Sequence, residues 1–262
     1  MAIKRRRLAQ EVIGLSRNPS SIAYAKRRGA IDRGTIAMEA AVRDADLVVL
    51  ATPVETIVPY AKRLARAMPA GSILTDVGST KGRIVGALER SLPRQIAFVG
   101  AHPLAGSEQR GIAAARADLF EGSCCIIAAT ARTNHRALQQ VSRFWRSVAQ
   151  RVIVMDPNSH DRLLAAVSHL PHLLAFCLVE ATNHGALRLA PRSFLDATRV
   201  AKSEPALWDD IFLSNRSALL AAVKRFDRTW EQVHGLLAAS DRRALKRLLQ
   251  HAHAIRTTLR DS

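Results

Sequence analysis

Up to about residue 157, short β-branched runs alternate with helical stretches, and this alternation limits the fold more than any other feature of the chain. The runs lie at residues 11–15, 47–51, 72–77, 96–100, 124–128 and 151–155. Strands separated by helical segments favour a parallel, doubly wound sheet, because each parallel pair needs a crossover connection. Of the 13 glycines, 11 lie at or before Gly122, as expected for a region rich in turns. The sequence therefore predicts an α/β domain over residues 1–156.

Beyond Pro157 the pattern becomes helical. Apolar residues recur at three- and four-residue spacing over 163–184, 204–226 and 229–259, with few breakers. This predicts an all-helical second domain at 157–262. The longest apolar runs, such as 47–53, are strand-sized, so we expect no membrane insertion. The basic residues 4–7 precede no apolar signal region, and the expected location is cytoplasmic.

Charge and cysteine content narrow the classes of partner. The chain has 39 Lys and Arg against 22 Asp and Glu, a net charge of +17. Such a balance suits anionic partners, either nucleic acid or small substrates with carboxylates and phosphates. The arginines are spread out with few aromatic residues beside them, which does not favour nucleic-acid binding. The three cysteines, two of them adjacent, form no disulfide framework and are expected to be small buried side chains.

Ser16 and Arg17 directly follow the first predicted strand, at residues 11–15. In a dinucleotide-binding half-sheet, an arginine at the end of the second strand accommodates the 2′-phosphate of NADP. An ordinary solvated loop arginine is the alternative. Only ten basic, helix-like residues precede Glu11, where a first strand and a G-x-G-x-x-G turn would stand. We therefore expect an inactive chain whose natural gene product begins about twenty or more residues upstream with that strand and turn.

Two further strands end in polar turns. The strand at 47–51 runs into Thr52 and Pro53, and the strand at 72–77 runs into a turn that carries Ser79 and Lys81. Open α/β sheets bind their ligands at the carboxyl ends of strands, so these turns are candidate ligand contacts. A plain turn with a helix cap is the alternative for Gly78 and Ser79.

A histidine follows the next strand. His102 precedes Pro103, with Gly100 and Gly106 on its two sides. By itself it could be structural. The run from Asp76 to Gly82, followed about twenty residues later by His102-Pro103-Leu104-Ala105-Gly106-Ser107-Glu108, closely resembles the pattern of the prephenate and arogenate dehydrogenases. Three later segments extend this resemblance in the same order: Ser159-His160-Asp161 with Val167 to His172, then Phe194 to Ala201, then Pro205 to Phe212.

The resemblance implies a Rossmann-type domain, here incomplete, and a helical domain that binds substrate and forms a homodimer. It implies oxidative decarboxylation of prephenate or arogenate with NAD or NADP. The implied roles are a catalytic base at His102 assisted by Ser79, and substrate contacts at Arg199, His172 and His169. Thr52, Pro53 and Lys81 are expected on the cofactor side.

Alternatives remain at several positions. His169 and His172 are three residues apart and could mimic a metal pair, but no third ligand clusters with them, so no metal is expected. His169 could equally be a buried core histidine. Arg199 could form a structural ion pair with Asp196. Arg110, just beyond the histidine motif, is a candidate position for substrate choice.

Three other functions compete with the implied reaction. A β-hydroxyacid dehydrogenase would place a catalytic lysine on a helix, and no glycine-rich and lysine motif of that kind follows residue 157. The remaining two are an inactive, decayed dehydrogenase and a basic nucleic-acid-binding protein. The choice between prephenate and arogenate stays open.

Overall fold

The computed structural model describes residues 1–106 and 111–259. Seven strands lie within these residues. They are β1 (Ile13–Leu15), β2 (Arg33–Thr35), β3 (Leu47–Leu50), β4 (Ile73–Asp76), β5 (Ala97–Leu104), β6 (Cys124–Ala128) and β7 (Arg151–Met155). They form a five-stranded sheet of order β3-β4-β5-β6-β7 and a separate parallel pair, β1-β2.

The α/β fold class predicted from the sequence is confirmed, with three corrections to the strands. β2 has no counterpart among the predicted strands, because Arg33-Gly34-Thr35 lacks an apolar run. β5 continues to Leu104 instead of ending at Gly100. β5 and β6 are antiparallel, whereas the other pairs are parallel. A crossover pattern in the sequence does not reveal one reversed strand, because the burial of side chains is the same in both directions.

Thirteen α-helices occur in the part of the chain that the structure describes. They are α1 (Ala2–Arg5), α2 (Pro19–Arg27), α3 (Met38–Val42), α4 (Val54–Leu64), α5 (Gly82–Ser91), α6 (His135–Arg146), α7 (Pro157–Leu164), α8 (Leu170–Ala181), α9 (His184–Leu187), α10 (Arg192–Ala197), α11 (Pro205–Ser214), α12 (Arg216–Ala238) and α13 (Arg242–Thr258). Short 3₁₀ turns span Ile112–Ala114 and Arg199–Lys202.

The chain after Pro157 is helical, but its breaks differ from the predicted ones. α12 passes through residues 226–229, where a break was expected, because no glycine or proline interrupts the helix there. The break falls instead at residues 239–241, where Ser240 has a positive φ of 52°. The Asp241 side chain then accepts a hydrogen bond from the Ala244 N–H and so begins α13.

Both faces of the five-stranded sheet are covered. Alternate residues of β4 point to opposite sides, so Leu74 packs with α4 and α5 while Ile73 packs with α6. Trp208 and Ile211 of α11 join the first of these cores, and α11 packs on α4. The helical region is therefore fixed to the sheet on the face that α4 and α5 cover.

One continuous helical stretch, Pro157–Ala181, is 25 residues long and apolar enough for its length to match a membrane span. The longest apolar runs expected from the sequence were only strand-sized. The stretch contains a π-helical turn at Ala165–His169. Pro171 has no N–H to offer the Val167 carbonyl, which accounts for the altered hydrogen bonding in the turn before it. Such turns occur often at functional sites.

Candidate functional site

His102 lies in the second half of β5, in the part of that strand that extends beyond the end of β4. β4 ends at Asp76. Beyond this end, the Asp76 side chain replaces the backbone of β4 as a hydrogen-bond partner of β5, because its Oδ1 accepts the Ala101 N–H at 3.1 Å. On its other side His102 is opposite Ile126 of β6. The imidazole is thus held within a strand, whereas the sequence placed it just after the strand's end. Burial lowers the pKa of His102 well below its ordinary value, and the nearby His160, Lys81 and His169 lower it further.

His160 connects His102 to the helical region. Its Nε2 lies 2.9 Å from the His102 Nδ1, and its Nδ1 lies 2.8 Å from the Asp161 Oδ1. The His160 side chain is fully buried. α7 can place both residues here because its first turn is fixed by Pro157 and by the Asp156 carboxylate, which accepts two backbone N–H groups.

Asp161 fixes this helix to the turn after β4. Its two oxygens accept the backbone N–H groups of Lys81 and Gly82, both at 2.8 Å. A Cβ at Gly82 would lie 2.9 Å from the Asp161 Oδ2, so this close approach requires glycine. Burial acts to raise the pKa of Asp161, but hydrogen bonds from His160, Lys81 and Gly82 outweigh it and lower the pKa.

Lys81, which we expected on the cofactor side, is held in the interior of the chain. Its side chain is fully buried, and its ammonium forms an ion pair with Asp76, which is also fully buried. Asp76 additionally accepts the Gly78 N–H at 2.9 Å. The buried ion pair therefore stabilises the turn between β4 and α5 from its interior side.

His169 and His172 both contact Trp208. His172 stacks on the indole with ring centroids 3.6 Å apart, and its Nδ1 donates to the Ser168 carbonyl at 2.9 Å. His169 meets the same ring edge-on at 6.2 Å. Asn215 lies 3.1 Å from the His169 Nδ1, while the buried Nε2 of His169 has no hydrogen-bond partner among the described residues. Burial lowers the pKa of His169 to about 4.

The remaining substrate candidates are partly or fully exposed. Ser79 is half-buried in the turn after β4. Arg199 is exposed and begins the 3₁₀ turn that packs on α8, the helix that carries His172. Its guanidinium is therefore accessible to a substrate carboxylate in a single protomer. Asp196, its expected structural partner, forms an ion pair at 3.7 Å with Arg192.

The cofactor candidates lie at the ends of two strands. Thr52 follows β3, and its buried Oγ1 has no hydrogen-bond partner within the described ranges. Pro53 is exposed and immediately precedes α4. An unsatisfied hydroxyl beside a helix N-terminus fits a polar cofactor.

The second group of cofactor candidates follows β1. Ser16 accepts the Asn18 N–H at 3.2 Å, and Arg17 is exposed. The Asn18 side chain caps α2. The structure does not bring Ser16 and Arg17 into the same sheet as Thr52 and Pro53. Arg110, the candidate for substrate choice, lies outside the described residues.

Four residues of the site were not selected from the sequence: His160, Asp161, Asn215 and Trp208. Three of them lay in segments that carried the family resemblance, and Asn215 lies just after one. Their position in or beside those segments was the signal that could have selected them. The expectation for cysteine also needs correction, because Cys177 is exposed while Cys125 is buried.

A sheet with polar turns at the carboxyl ends of its strands, completed by histidines from a helical region, defines a two-domain dinucleotide-dependent dehydrogenase. Family models agree on both parts. "Prephenate dehydrogenase, nucleotide-binding domain" matches residues 1–154, and "Prephenate dehydrogenase, dimerization domain" matches residues 156–251. The chain belongs to the prephenate dehydrogenase family.

Curated relatives and solved structures agree with this assignment. Prephenate dehydrogenase of Bacillus subtilis is 32% identical over 99% of this chain and 72% of its own length. Cyclohexadienyl dehydrogenase of Zymomonas mobilis is 36% identical over 80% of this chain and 74% of its own. The crystal structure of Aquifex aeolicus prephenate dehydrogenase with hydroxyphenyl propionate and NAD+ superposes with a TM-score of 0.91 at 33% identity, covering 98% of this chain and 92% of that one.

Synechocystis arogenate dehydrogenase superposes with a TM-score of 0.83 at 26% identity, covering 98% of this chain and 94% of that one. The family and the NAD(P)-dependent dehydrogenase class predicted from the sequence are confirmed. The dimerization domain supports the predicted homodimer.

Proposed function

We propose that this chain catalyses the oxidative decarboxylation of prephenate, or of its amino analogue arogenate, to 4-hydroxyphenylpyruvate or tyrosine. The observation that carries the proposal is the placement of His102. Its imidazole lies beyond the carboxyl end of β4, is tied through His160 to the helical region, and has a pKa lowered by burial. A neutral imidazole in that place suits a general base at neutral pH.

His102 acts on the ring hydroxyl of the substrate. It accepts the hydroxyl proton as the ring carbon gains carbonyl character, and it returns the proton to the phenolate oxygen that forms when carbon dioxide leaves. The nicotinamide, when bound, supplies the acceptor for the hydride from that ring carbon. Ser79, in the turn after β4, orients the same hydroxyl in this proposal.

Recognition of the substrate carboxylates falls to the helical region. Arg199 offers a planar fork that can hold a carboxylate through two hydrogen bonds. His172 contributes its Nε2 from the face of Trp208. His169 contributes a buried nitrogen that has no protein partner in the described part of the chain, which suits a polar substrate atom.

The cofactor side consists of Thr52 and Pro53, at the N-terminus of α4, with Ser16 and Arg17 at the end of β1. The exposed guanidinium of Arg17 is suited to the 2′-phosphate of NADP. Lys81 is not part of this side, because its ammonium is buried against Asp76.

The exposed apolar surface of the helical region is suited to a second copy of the chain. Val167, Leu178 and Leu213 lie on helices that the dimerization-domain model covers, and each is more than 40% exposed. This surface, and not a membrane, accounts for the apolar character of Pro157–Ala181, since the same stretch carries the buried polar pair His160 and Asp161. The dimer is expected in a cytoplasmic setting.

The test is an activity matrix of prephenate and arogenate against NAD and NADP, with carbon dioxide and reduced nicotinamide measured together. Equal release of both in at least one combination is expected. His102→Ala should lower turnover by roughly 10²–10⁴-fold while cofactor affinity stays unchanged. His135→Ala, on the remote helix α6, is the matched control and should keep full turnover. Absence of turnover in all four combinations would refute the proposed activity of this chain and would agree instead with the inactive chain expected from the sequence.

A further inference from the structure

We propose that Asp161, through His160 on one side and Asn215 on the other, holds His102 and His169 in opposite tautomers. His102 then presents an unprotonated Nε2 that accepts, while His169 presents an Nε2–H that donates. His160 and Asn215 are positioning residues in this scheme. The inference rests on the proposed function only for its catalytic consequence, since the tautomers can be observed without turnover.

The first branch follows from the donors and acceptors in sequence. The Asp161 carboxylate accepts two backbone N–H groups and can only accept from His160, so the His160 Nδ1 carries a proton. With His160 neutral, its Nε2 is an acceptor and draws a proton onto the His102 Nδ1, 2.9 Å away. The lone pair of His102 is then on Nε2.

The first branch takes His160 as neutral, with the ring fully buried and the Asp161 carboxylate beside it already accepting two backbone hydrogen bonds. A doubly protonated ring would donate from Nε2 to the His102 Nδ1 and so reverse the tautomer of His102, which gives the experiment a clear opposite outcome.

The second branch begins at the backbone of Asp161. The Asp161 carbonyl accepts a hydrogen bond from the Asn215 Nδ2 at 2.8 Å, and a carbonyl can only accept, so the amide orientation of Asn215 is fixed. The same Nδ2 lies 3.1 Å from the His169 Nδ1, which must therefore be the acceptor. A neutral His169 then carries its proton on Nε2, the buried atom without a protein partner among the described residues.

Opposite tautomers give the two histidines different hydrogen-bonding roles at the site. His102 can take the hydroxyl proton at Nε2 without a ring flip, whereas an Nε2–H there would meet the hydroxyl as a second donor. His169 can donate to an anionic or carbonyl oxygen of the substrate. Both rings remain neutral near neutral pH because burial lowers both of their pKa values.

The experiment is nuclear magnetic resonance of the full chain with ¹⁵N- and ¹³C-labelled histidine, read without ligand. The expected result is an Nδ1–H signal for His102 and an Nε2–H signal for His169. His172 is the internal reference, because its Nδ1 donates to the Ser168 carbonyl in every variant.

Three variants separate the two branches. His160→Phe removes the acceptor, so His102 should change to the Nε2–H form and turnover should fall roughly 10²–10⁴-fold with substrate affinity nearly unchanged. His160→Gln offers a carbonyl oxygen in the same place and should restore the Nδ1–H form and much of the turnover. Asn215→Leu should alter the tautomer of His169 alone.

An Nε2–H signal for His102 in the unaltered chain would overturn the inference, as would an Nδ1–H signal that survives in His160→Phe. If His160→Phe fails to fold, the unaltered chain and Asn215→Leu still decide the matter. Predicted tautomers in a chain without turnover would support the network and refute the proposed function instead.

Discussion

The buried ion pair between Lys81 and Asp76 gives a quantitative test of the role of Lys81. Both side chains are fully buried, and among the described residues Asp76 keeps the Gly78 and Ala101 N–H groups as hydrogen-bond donors when the ammonium is removed. Lys81→Met preserves the length and apolar volume of the side chain but leaves the carboxylate charge uncompensated. Breaking one side of a buried pair costs about 3–5 kcal/mol. This is a large share of the ~5–15 kcal/mol that stabilises a domain.

Urea denaturation followed by tryptophan fluorescence measures this loss, because Trp145 of α6 is buried in the core against the sheet. Lys62→Met, an exposed lysine of α4, is the matched control and should change the free energy of unfolding by less than about 0.5 kcal/mol. Adding Asp76→Asn to Lys81→Met should restore part of the stability, because no buried charge then remains.

Equal stability of Lys81→Met and Lys62→Met would refute the stabilising role of the buried ion pair. A raised Michaelis constant for NAD(P) at unchanged stability would place Lys81 on the cofactor side after all, as expected from the sequence.

Three further predictions concern His169 and the two arginines Arg199 and Arg17. Burial lowers the pKa of His169 to about 4, so the folded chain binds fewer protons at this site than the unfolded chain between about pH 6.5 and 4. The free energy of unfolding should therefore fall as the pH falls through that window, by about 3 kcal/mol from His169, and His169→Gln should flatten the slope measured by urea titration at several pH values. Arg199→Lys should weaken substrate binding by roughly 2–4 kcal/mol without changing cofactor binding. An unchanged Michaelis constant for the substrate would exclude the carboxylate fork. Arg17→Asp should shift preference from NADP towards NAD in the activity matrix, and an unaltered ratio would remove Arg17 from the cofactor side.

The sequence fixes the class of fold because periodicity along the chain reports which face of an element is buried. Residues 47–51 and 72–77 are strand-sized β-branched runs, and the structure makes them neighbouring parallel strands. The same periodicity does not report strand direction, so the antiparallel pairing of β5 with β6 could not be predicted. It also does not locate helix breaks that depend on one residue, such as Ser240 with its positive φ.

Within the site, sequence reasoning found the residues of unusual chemistry but not their partners. His102 stood out because of its motif, and its placement beyond β4 follows from the strand ends. Lys81 has the same polar sequence context whether its ammonium points into the cleft or into the core. Only tertiary structure, which buries Asp76 beneath the turn, decides that direction.

Local pattern was therefore enough to predict the α/β and helical regions, the family and the pair of histidine motifs. Tertiary structure alone decided which groups share hydrogen bonds. His160 is 58 residues away from His102, which it contacts. Asp161 is 79 residues away from Gly82, whose N–H it accepts. Contacts at such separation depend on how α7 packs against the turn after β4, and no local pattern encodes the distance between two elements that meet only in the folded chain.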